Sequence, residues 1–220
     1  MNRILGGLAA AVLLAACGGS DPGSGTQTLY VTATAESDGS SDGTRLLVVV
    51  RQGGSNGAFV DNATVTVIGD RGTNHTLPFV GIFGLGGYYK NAISWEGGWR
   101  LRIVRGSDNL EAYIAGPGLT TITAPTANGT FAKAAAQNLV VQWRDDMGRS
   151  MPNAEVRFRR ADIQRITTDN GAYSMDYNLL VPANDEEIAV RRWTELTLKG
   201  GATGSTFRAQ TTAEIPLVVQ

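Results

Sequence analysis

The chain has 220 residues, enough for one large domain or two small ones, and 42% of them are hydrophobic. Its 19 basic and 20 acidic residues give a formal net charge of −1, which offers no electrostatic basis for binding nucleic acid. One cysteine and one histidine exclude a disulfide framework and the usual zinc sites, so we expect neither a cofactor nor a metal.

The first predicted element is an apolar run over residues 4–16, preceded by the single cation Arg3. The run has the length of the apolar part of an export signal and is shorter than the roughly 20 residues of a membrane-spanning helix. It ends in Leu14-Ala15-Ala16-Cys17, which resembles the lipobox of bacterial lipoproteins. The resemblance implies that residues 1–16 are a signal peptide. It also implies that the Cys17 thiol receives diacylglycerol and the new terminus an acyl chain such as palmitate.

An ordinary secretory signal with an incidental cysteine is the alternative, although a small residue would then be expected where Leu14 stands. Gly18, rather than an aspartate, follows Cys17. By similarity to enterobacterial sorting, this favours a lipid anchor in the outer membrane of a Gram-negative cell envelope. Residues 17–26 are then expected to be the acylated cysteine and a flexible tether, because glycine, serine and proline cannot bury a core. Such a spacer has a mean reach of about 15–18 Å.

From residue 28 onward, apolar and polar residues alternate with period two, which predicts many short, half-buried strands. Turns rich in glycine, asparagine and aspartate separate these strands, and only residues 132–137 are a candidate helix. This pattern is typical of an all-β chain built from sandwiches. The alternating apolar positions are Leu29, Val31, Ala33, Ala35, Val65, Val67, Trp99, Leu101, Ile103, Leu110, Ala112 and Ile114.

The two halves of the chain carry the same motifs in the same order, which indicates an internal repeat. We therefore predict two tandem Ig-like or transthyretin-like β-sandwich domains, at residues 27–124 and 125–220. The matched segments are residues 46–51 with 139–144, 62–67 with 153–158, and 86–89 with 170–173.

The second copy contains Asn153-Ala154-Glu155-Val156, followed by Thr168-Asp169-Asn170-Gly171-Ala172-Tyr173. These residues resemble the carboxypeptidase regulatory-like, or transthyretin-like, sandwich over residues 148–177. The first copy lacks the Thr-x-Asp element. The resemblance implies a fold rather than an activity, because this sandwich is mostly an accessory or display module. Asn170-Gly171 is expected to form a tight hairpin turn with a positive φ, and Tyr173 to pack inward.

Three aromatic residues, Tyr88, Tyr89 and Trp95, are candidate ligand contacts, because sugar-binding sandwiches stack hexoses on exposed rings. Trp95 lies in a predicted loop and is the first of these to test. Core packing is the default for such rings, and strand alternation predicts that Trp99 and Trp143 point inward.

The only histidine, His75, follows a predicted turn, and we expect it at the surface. A Ser-His-Asp site needs a nucleophile as well, and no Gly-x-Ser-x-Gly motif accompanies this histidine, so we predict no catalytic residues. The aspartate-rich turns at residues 38–43 and 169–171 offer oxygen ligands for calcium, but they lack EF-hand spacing and fit ordinary turns. Arg100 and Arg102 are expected on the outer face of one strand, either solvated or facing an anionic lipid or polysaccharide.

The sequence therefore favours a membrane-anchored envelope lipoprotein that acts as a non-enzymatic structural or protein-interaction module. Its expected partners are the membrane, through the acyl chains, and a protein of the envelope. A carbohydrate-binding envelope protein that uses exposed aromatics is the alternative, and an unrecognised hydrolase is the least favoured reading.

Overall fold

The structure is a computed structural model that describes residues 19–40, 42–82 and 85–220. The predicted signal peptide and Cys17 lie outside the described residues. The described chain is all-β, as the sequence predicts, with seventeen strands and two short 3-10 helices. Residues 133–135, within the candidate helical segment, form one of these 3-10 turns. Within these ranges, no helix has the length and apolar character needed to cross a membrane.

The strands in chain order are β1 (Asp21–Gly25), β2 (Leu29–Ser37), β3 (Thr44–Gln52), β4 (Thr64–Gly69), β5 (Asn74–Leu77), β6 (Phe79–Ile82), β7 (Leu85–Ile93), β8 (Gly98–Arg105), β9 (Asp108–Ala115), β10 (Thr120–Ala124), β11 (Gly129–Phe131), β12 (Leu139–Asp145), β13 (Asn153–Phe158), β14 (Ile163–Thr167), β15 (Ala172–Met175), β16 (Ala183–Thr197) and β17 (Thr206–Val219). The 3-10 helices are Lys133–Ala135 and Tyr177–Leu179.

The strands form three sheets. A five-stranded sheet has the order β1-β9-β8-β4-β5, and a three-stranded sheet has the order β10-β12-β15. A nine-stranded sheet has the order β14-β13-β16-β17-β2-β3-β7-β6, with β11 also pairing with β17. The first hydrophobic core gathers side chains of the five-stranded sheet and of β2, β3 and β7. The second core gathers side chains of the three-stranded sheet and of β13, β16 and the end of β17.

Strand alternation decides which side chains enter these cores, as β8 illustrates. Trp99, Leu101 and Ile103 are fully buried, whereas Arg100 and Arg102 between them are exposed. Successive side chains of a strand point to opposite faces of the sheet. Within residues 99–103, every second side chain therefore enters the core and the others face solvent. The predicted inward orientation of Trp99 and the outward orientation of both arginines are confirmed.

The internal repeat has a structural counterpart. We call β2–β9 the first repeat and β10–β17 the second repeat. In the first repeat β3 pairs with β7, and Val48 lies opposite Tyr88. In the second repeat β12 pairs with β15, and Val141 lies opposite Tyr173. Likewise β4 lies between β5 and β8, as β13 lies between β14 and β16. Segments that match in sequence therefore occupy matching places in the two strand arrangements.

A parallel pair of strands joins the two repeats into one sheet. Strand β17 of the second repeat pairs with β2 of the first repeat, from Thr206 opposite Thr32 to Thr211 opposite Ser37. Phe207 of β17 enters the first core, whereas Leu217 of the same strand enters the second. The long hairpin of β16 and β17 therefore contributes to both cores, which the sequence repeat does not reveal.

The segment before β2 differs from the expected flexible tether, because residues 21–25 form strand β1. This strand pairs with β9 at the edge of the five-stranded sheet, with Asp21 opposite Tyr113 and Gly25 opposite Leu110. Just before it, the Ser20 hydroxyl accepts a hydrogen bond of 3.0 Å from the backbone N–H of Ala115. Backbone pairing needs no apolar side chains, so a segment without hydrophobic residues can still complete a sheet.

Candidate functional site

Two of the three predicted ligand-contact aromatics lie in the first core. Trp95 is 3% exposed, its indole Nε1 donates a 2.8 Å hydrogen bond to the carbonyl of Pro117, and its ring packs edge-on against Trp99 at 5.6 Å between centroids. Tyr88 is 2% exposed. Stacking of a sugar requires a free ring face, so Trp95 and Tyr88 are core residues and the candidate role of these two rings as exposed ligand contacts is contradicted. Tyr89 is half-buried, and its role as a ligand contact stays a prediction.

The hydroxyl of Tyr88 explains why this tyrosine is tolerated in the core. It donates a hydrogen bond of 3.0 Å to the carbonyl of Val60 and accepts one of 2.8 Å from the backbone N–H of Ala63. Buried polar groups need such partners, because an unpaired hydroxyl in an apolar environment is costly. Tyr88 therefore fixes the loop before β4 rather than offering a ligand-binding surface.

His75 is buried and not at the surface as predicted. It is 6% exposed, lies on β5, and its ring centroid is 6.2 Å from that of Trp99. His75 and Leu77 point to the same side of their short strand, which packs against the first core. Burial lowers the pKa of His75, the positive charge of Lys90 lowers it further, and Glu96 opposes both effects. The imidazole is therefore neutral at neutral pH, since the charged form is poorly solvated there.

The most concentrated set of buried charges lies where the two cores meet. We call Asp145, Asp169 and Arg192 the buried charge triad. Their side chains are 6%, 3% and 3% exposed in the two ion pairs that they form. Arg192 donates from Nε to an Asp169 carboxylate oxygen at 2.9 Å and from Nη2 to the same oxygen at 2.6 Å, and its Nη1 binds Asp145. A buried charge is tolerated when it is paired in this way.

Asp169 receives two further hydrogen bonds. The indole Nε1 of Trp143 donates to one carboxylate oxygen at 2.8 Å, and the backbone N–H of Met151 donates to the other at 2.8 Å. Burial alone would raise the pKa of Asp169, but the hydrogen bonds from Arg192, Trp143 and Met151 lower it below its ordinary value. The carboxylate therefore stays ionised in the fold, because these donors favour its charged form.

Asp169 belongs to the motif that carries the family resemblance, and the structure corrects the expected geometry of that motif. Gly171 has the predicted positive φ, at +82°. The Asn170-Gly171 segment does not form a hairpin, however, because β14 lies in the nine-stranded sheet and β15 in the three-stranded sheet. The segment crosses from one sheet to the other and thereby places Asp169 beside Arg192.

Sequence reasoning missed Arg192 as a partner of this motif, although a signal was present. Ile188 and Val190 are buried on β16, and Arg192 is the next residue on the same face. Alternation therefore predicts that an arginine points into a core at this position. Such an arginine requires a carboxylate nearby, and Asp169 and Asp145 are the two that the fold brings to it.

The buried charge triad also connects the second core to loops of the first. Asp145 accepts a 2.7 Å hydrogen bond from the backbone N–H of Gly118. Arg149, four residues after Asp145, donates to the carbonyls of Gly97 at 2.9 Å and Gly116 at 3.0 Å. Its guanidinium also lies 3.7 Å from the carboxylate of Asp70. The chain between β12 and β13 is therefore held against two loops of the first repeat.

The first repeat has an equivalent of this arrangement in which amide side chains stand in place of the carboxylates. Because β4 matches β13, the strand registers place Arg105 where Arg192 stands and Gln52 where Asp145 stands. Arg105 donates to the side-chain oxygen of Gln52 and, at 2.9 Å, to that of Asn62. These contacts lie at the surface. The equivalent contact between two strand ends thus joins an arginine to exposed amides in one repeat and to buried carboxylates in the other.

A shallow groove of about 240 Å³ opens beside the buried charge triad, with Arg144, Arg149, Ser150 and Asn170 among its lining residues. The donors of Arg192 already serve Asp145, Asp169 and the carbonyl of Arg149. The triad therefore stabilises the junction between the repeats, and Arg144, Ser150 and Asn170 are the exposed rim residues that a ligand would contact.

The turns considered for calcium form their own hydrogen bonds. A carboxylate oxygen of Asp38 accepts from the backbone N–H of Ser40 at 3.0 Å and from its hydroxyl at 2.7 Å, as in an ordinary Asx turn. Among the residues that the structure describes, no group of three or more histidine, cysteine, aspartate or glutamate side chains is arranged to hold a metal.

Comparison of the chain with models of known protein families gives no match. None of the curated proteins compared with it is significantly similar.

Proposed function

We propose that this chain is a lipid-anchored protein of the bacterial cell envelope, with two tandem transthyretin-like β-sandwich modules, that acts as a non-enzymatic structural or protein-interaction module. The observation that carries the proposal is the parallel pairing of β17 with β2, which makes the two repeats one continuous sheet. A body of this kind holds its surfaces in a fixed relative orientation, as a structural or docking element requires. The lipobox-like sequence that ends at Cys17 supports the location.

The burial and pairing of the titratable side chains support a structural role. Asp145 and Asp169 of the second repeat are both paired with Arg192, and His75 is enclosed with Trp99. A general acid or base must reach a proton of its substrate, so groups held in this way are poorly placed for such work. The rim of the groove beside the buried charge triad, and the outer faces of the sheets, are the surfaces that a partner protein would contact.

The location can be tested by expressing the full chain in a Gram-negative host and measuring the mass of its N-terminal peptide. We expect a peptide that begins at Cys17 and carries diacylglycerol and an additional acyl chain. The Cys17→Ser variant should lose this mass and leave the membrane fraction, because a thiol is needed for acylation. An unmodified wild-type peptide would overturn the lipid anchor.

The mode of action needs a separate experiment. Crosslinking in intact envelopes should capture the same protein partner repeatedly, and substitutions at the groove rim, such as Asn170→Arg, should weaken that crosslink without lowering membrane association. Reproducible turnover of a substrate by the purified fragment that lacks residues 1–17 would overturn the non-enzymatic role.

A further inference from the structure

We infer that the junction between the two repeats, on the side that carries Ser20, is the face of the protein that lies on the membrane. The occupant of this face is the lipid bilayer that holds the acyl chains of Cys17. The inference rests on the proposed lipid anchor and adds an orientation to it.

The position of strand β1 sets the distance between the anchor and the folded body. The Ser20 hydroxyl is bound to the backbone of Ala115, and pairing with β9 continues from Asp21. Only two residues separate Cys17 from Ser20, and three extended steps of the chain span at most about 11 Å. The headgroups around an acylated Cys17 therefore lie within about 11 Å of Ser20. A linker this short keeps the side of the folded body that carries Ser20 close to the bilayer.

The neighbours of Ser20 identify the face. Ser20 lines a cleft of about 660 Å³ together with residues from both repeats. The other lining residues are Ala115, Arg149, Ser150, Met151, Pro152 and Thr194. The cleft therefore lies at the junction, next to the buried charge triad, and not at the outer end of either repeat.

The chemistry of this face suits a lipid interface. Met147, beside Gly97, is one of the large hydrophobic residues that remain exposed, at 37%. Met151 and Pro152 add apolar surface, and the guanidinium of Arg149 is one-third exposed. The carbonyls of Gly97 and Gly116 hold this guanidinium at the surface of the face, and its exposed part can contact lipid headgroups.

The opposite end of the first repeat points away from the bilayer in this orientation. Strand β9 runs from Ala115, beside Ser20, to Asn109, which is bound to Thr26. The six residue steps from Ala115 to Asn109 span about 20 Å in an antiparallel strand. Thr203 lies near this far end, because it lines a shallow depression with Gln27 and Gly53.

The orientation can be measured with a fluorophore attached to an introduced cysteine. Cys17 is the only native cysteine, and acylation blocks its sulfur, so Ser150→Cys and Thr203→Cys each offer one reactive thiol at an exposed position. Each labelled, acylated protein is placed in phosphatidylethanolamine–phosphatidylglycerol vesicles with a quencher on the lipid headgroups. We expect quenching at residue 150 to be several times stronger than at residue 203.

A spacer variant is the matched control. Ten glycine and serine residues inserted after Gly18 add a mean reach of about 17 Å, and this should abolish the difference between the two labels while the protein stays bound. Equal quenching at both positions in the protein without the insertion would overturn the orientation and leave the lipid anchor intact. Failure of the protein to float with the vesicles would overturn both.

Discussion

Arg192 and Arg105 occupy equivalent positions in the two repeats, but only Arg192 is enclosed by carboxylates. Arg105 faces the amide oxygens of Gln52 and Asn62 at the surface. Arg192 faces Asp145 and Asp169, with 3% of its own side chain exposed. The two arginines therefore allow the energetic contribution of a buried contact to be compared with that of an exposed one in the same molecule.

Arg192→Met should lower the free energy of unfolding by about 3–5 kcal/mol, because it leaves two carboxylates buried without their partner. Arg105→Met, at the equivalent surface position, should cost no more than about 1 kcal/mol. Urea unfolding followed by circular dichroism measures both. If Arg192→Met does not fold, Arg192→Lys retains one charge and should show an intermediate loss. Equal losses at the two positions would contradict the structural role of the buried charge triad.

His75 should make the stability of the protein depend on pH below neutrality. Burial lowers its pKa in the fold, and its ordinary value is 6.5. As the pH falls below that value, the unfolded chain binds a proton that the folded chain binds only at lower pH, so stability is lost as the medium becomes more acidic. The loss should begin near pH 6.5, where the carboxylates are still ionised.

This slope is simple to assign, since the chain has one histidine. Denaturant unfolding at a series of pH values measures it, and His75→Gln should flatten the curve between about pH 5 and 7 even if the variant is less stable throughout. An unchanged slope in this variant would show that another group titrates. The histidine ring resonances in an NMR titration give the folded pKa directly.

Phe207→Ala should destabilise both repeats in one step. Phe207 is 1% exposed in the first core, and its strand continues into the second core. Removal of a buried phenylalanine costs about 3–5 kcal/mol. Because the repeats share β17, we expect one calorimetric transition, with equal calorimetric and van't Hoff enthalpies, that shifts as a whole to lower temperature.

The neighbouring Arg208→Ala is the matched control for this prediction. Arg208 points to the other face of β17, where its guanidinium lies 4.8 Å from the centre of the Trp193 ring. A half-buried contact of this kind is worth about 1–2 kcal/mol, less than the loss of a buried phenylalanine. Two separate transitions, of which only one responds to Phe207→Ala, would contradict a single cooperative unit.

Trp95→Ala should reduce stability by about 3–5 kcal/mol through the loss of core packing and of the hydrogen bond to Pro117. Tyr89→Ala, on a half-buried ring, should cost much less. The unfolding temperatures of the two variants, measured by thermal unfolding, distinguish the core residue Trp95 from the half-buried Tyr89. Glycan binding that survives in Tyr89→Ala and disappears in a fully folded Trp95→Ala would contradict the enclosed position of Trp95.

The sequence predicts the parts of this fold that depend on side-chain burial. Alternation places Trp99 and Trp143 in the cores, and the repeat places Tyr88 and Tyr173 at matching positions opposite Val48 and Val141. These features can be read from a sequence because a strand with one buried face constrains every second residue.

The features that the sequence does not reveal depend on contacts between distant backbones. Strand β1 contains no large apolar residue, so its pairing with β9 leaves no hydrophobic pattern. A crossing between sheets, such as that at Asn170-Gly171, and a tight hairpin turn favour the same residue types, so composition does not distinguish them. The buried charge triad combines three separate segments, and Arg192 and Asp145 carry a local signal, because each is a charged residue that continues the buried face of its strand.

The pairing of β17 with β2 has a consequence for the order in which the protein is made. Gln210 contacts Glu36 across a separation of 174 residues. During synthesis, β2 emerges well before β17, the strand that covers its edge. A growing chain folds from its N-terminus as synthesis proceeds, and uncovered strand edges attract other chains. The first repeat therefore keeps an open edge at β2 throughout its own synthesis, and that edge is covered only after β17 of the second repeat has been made.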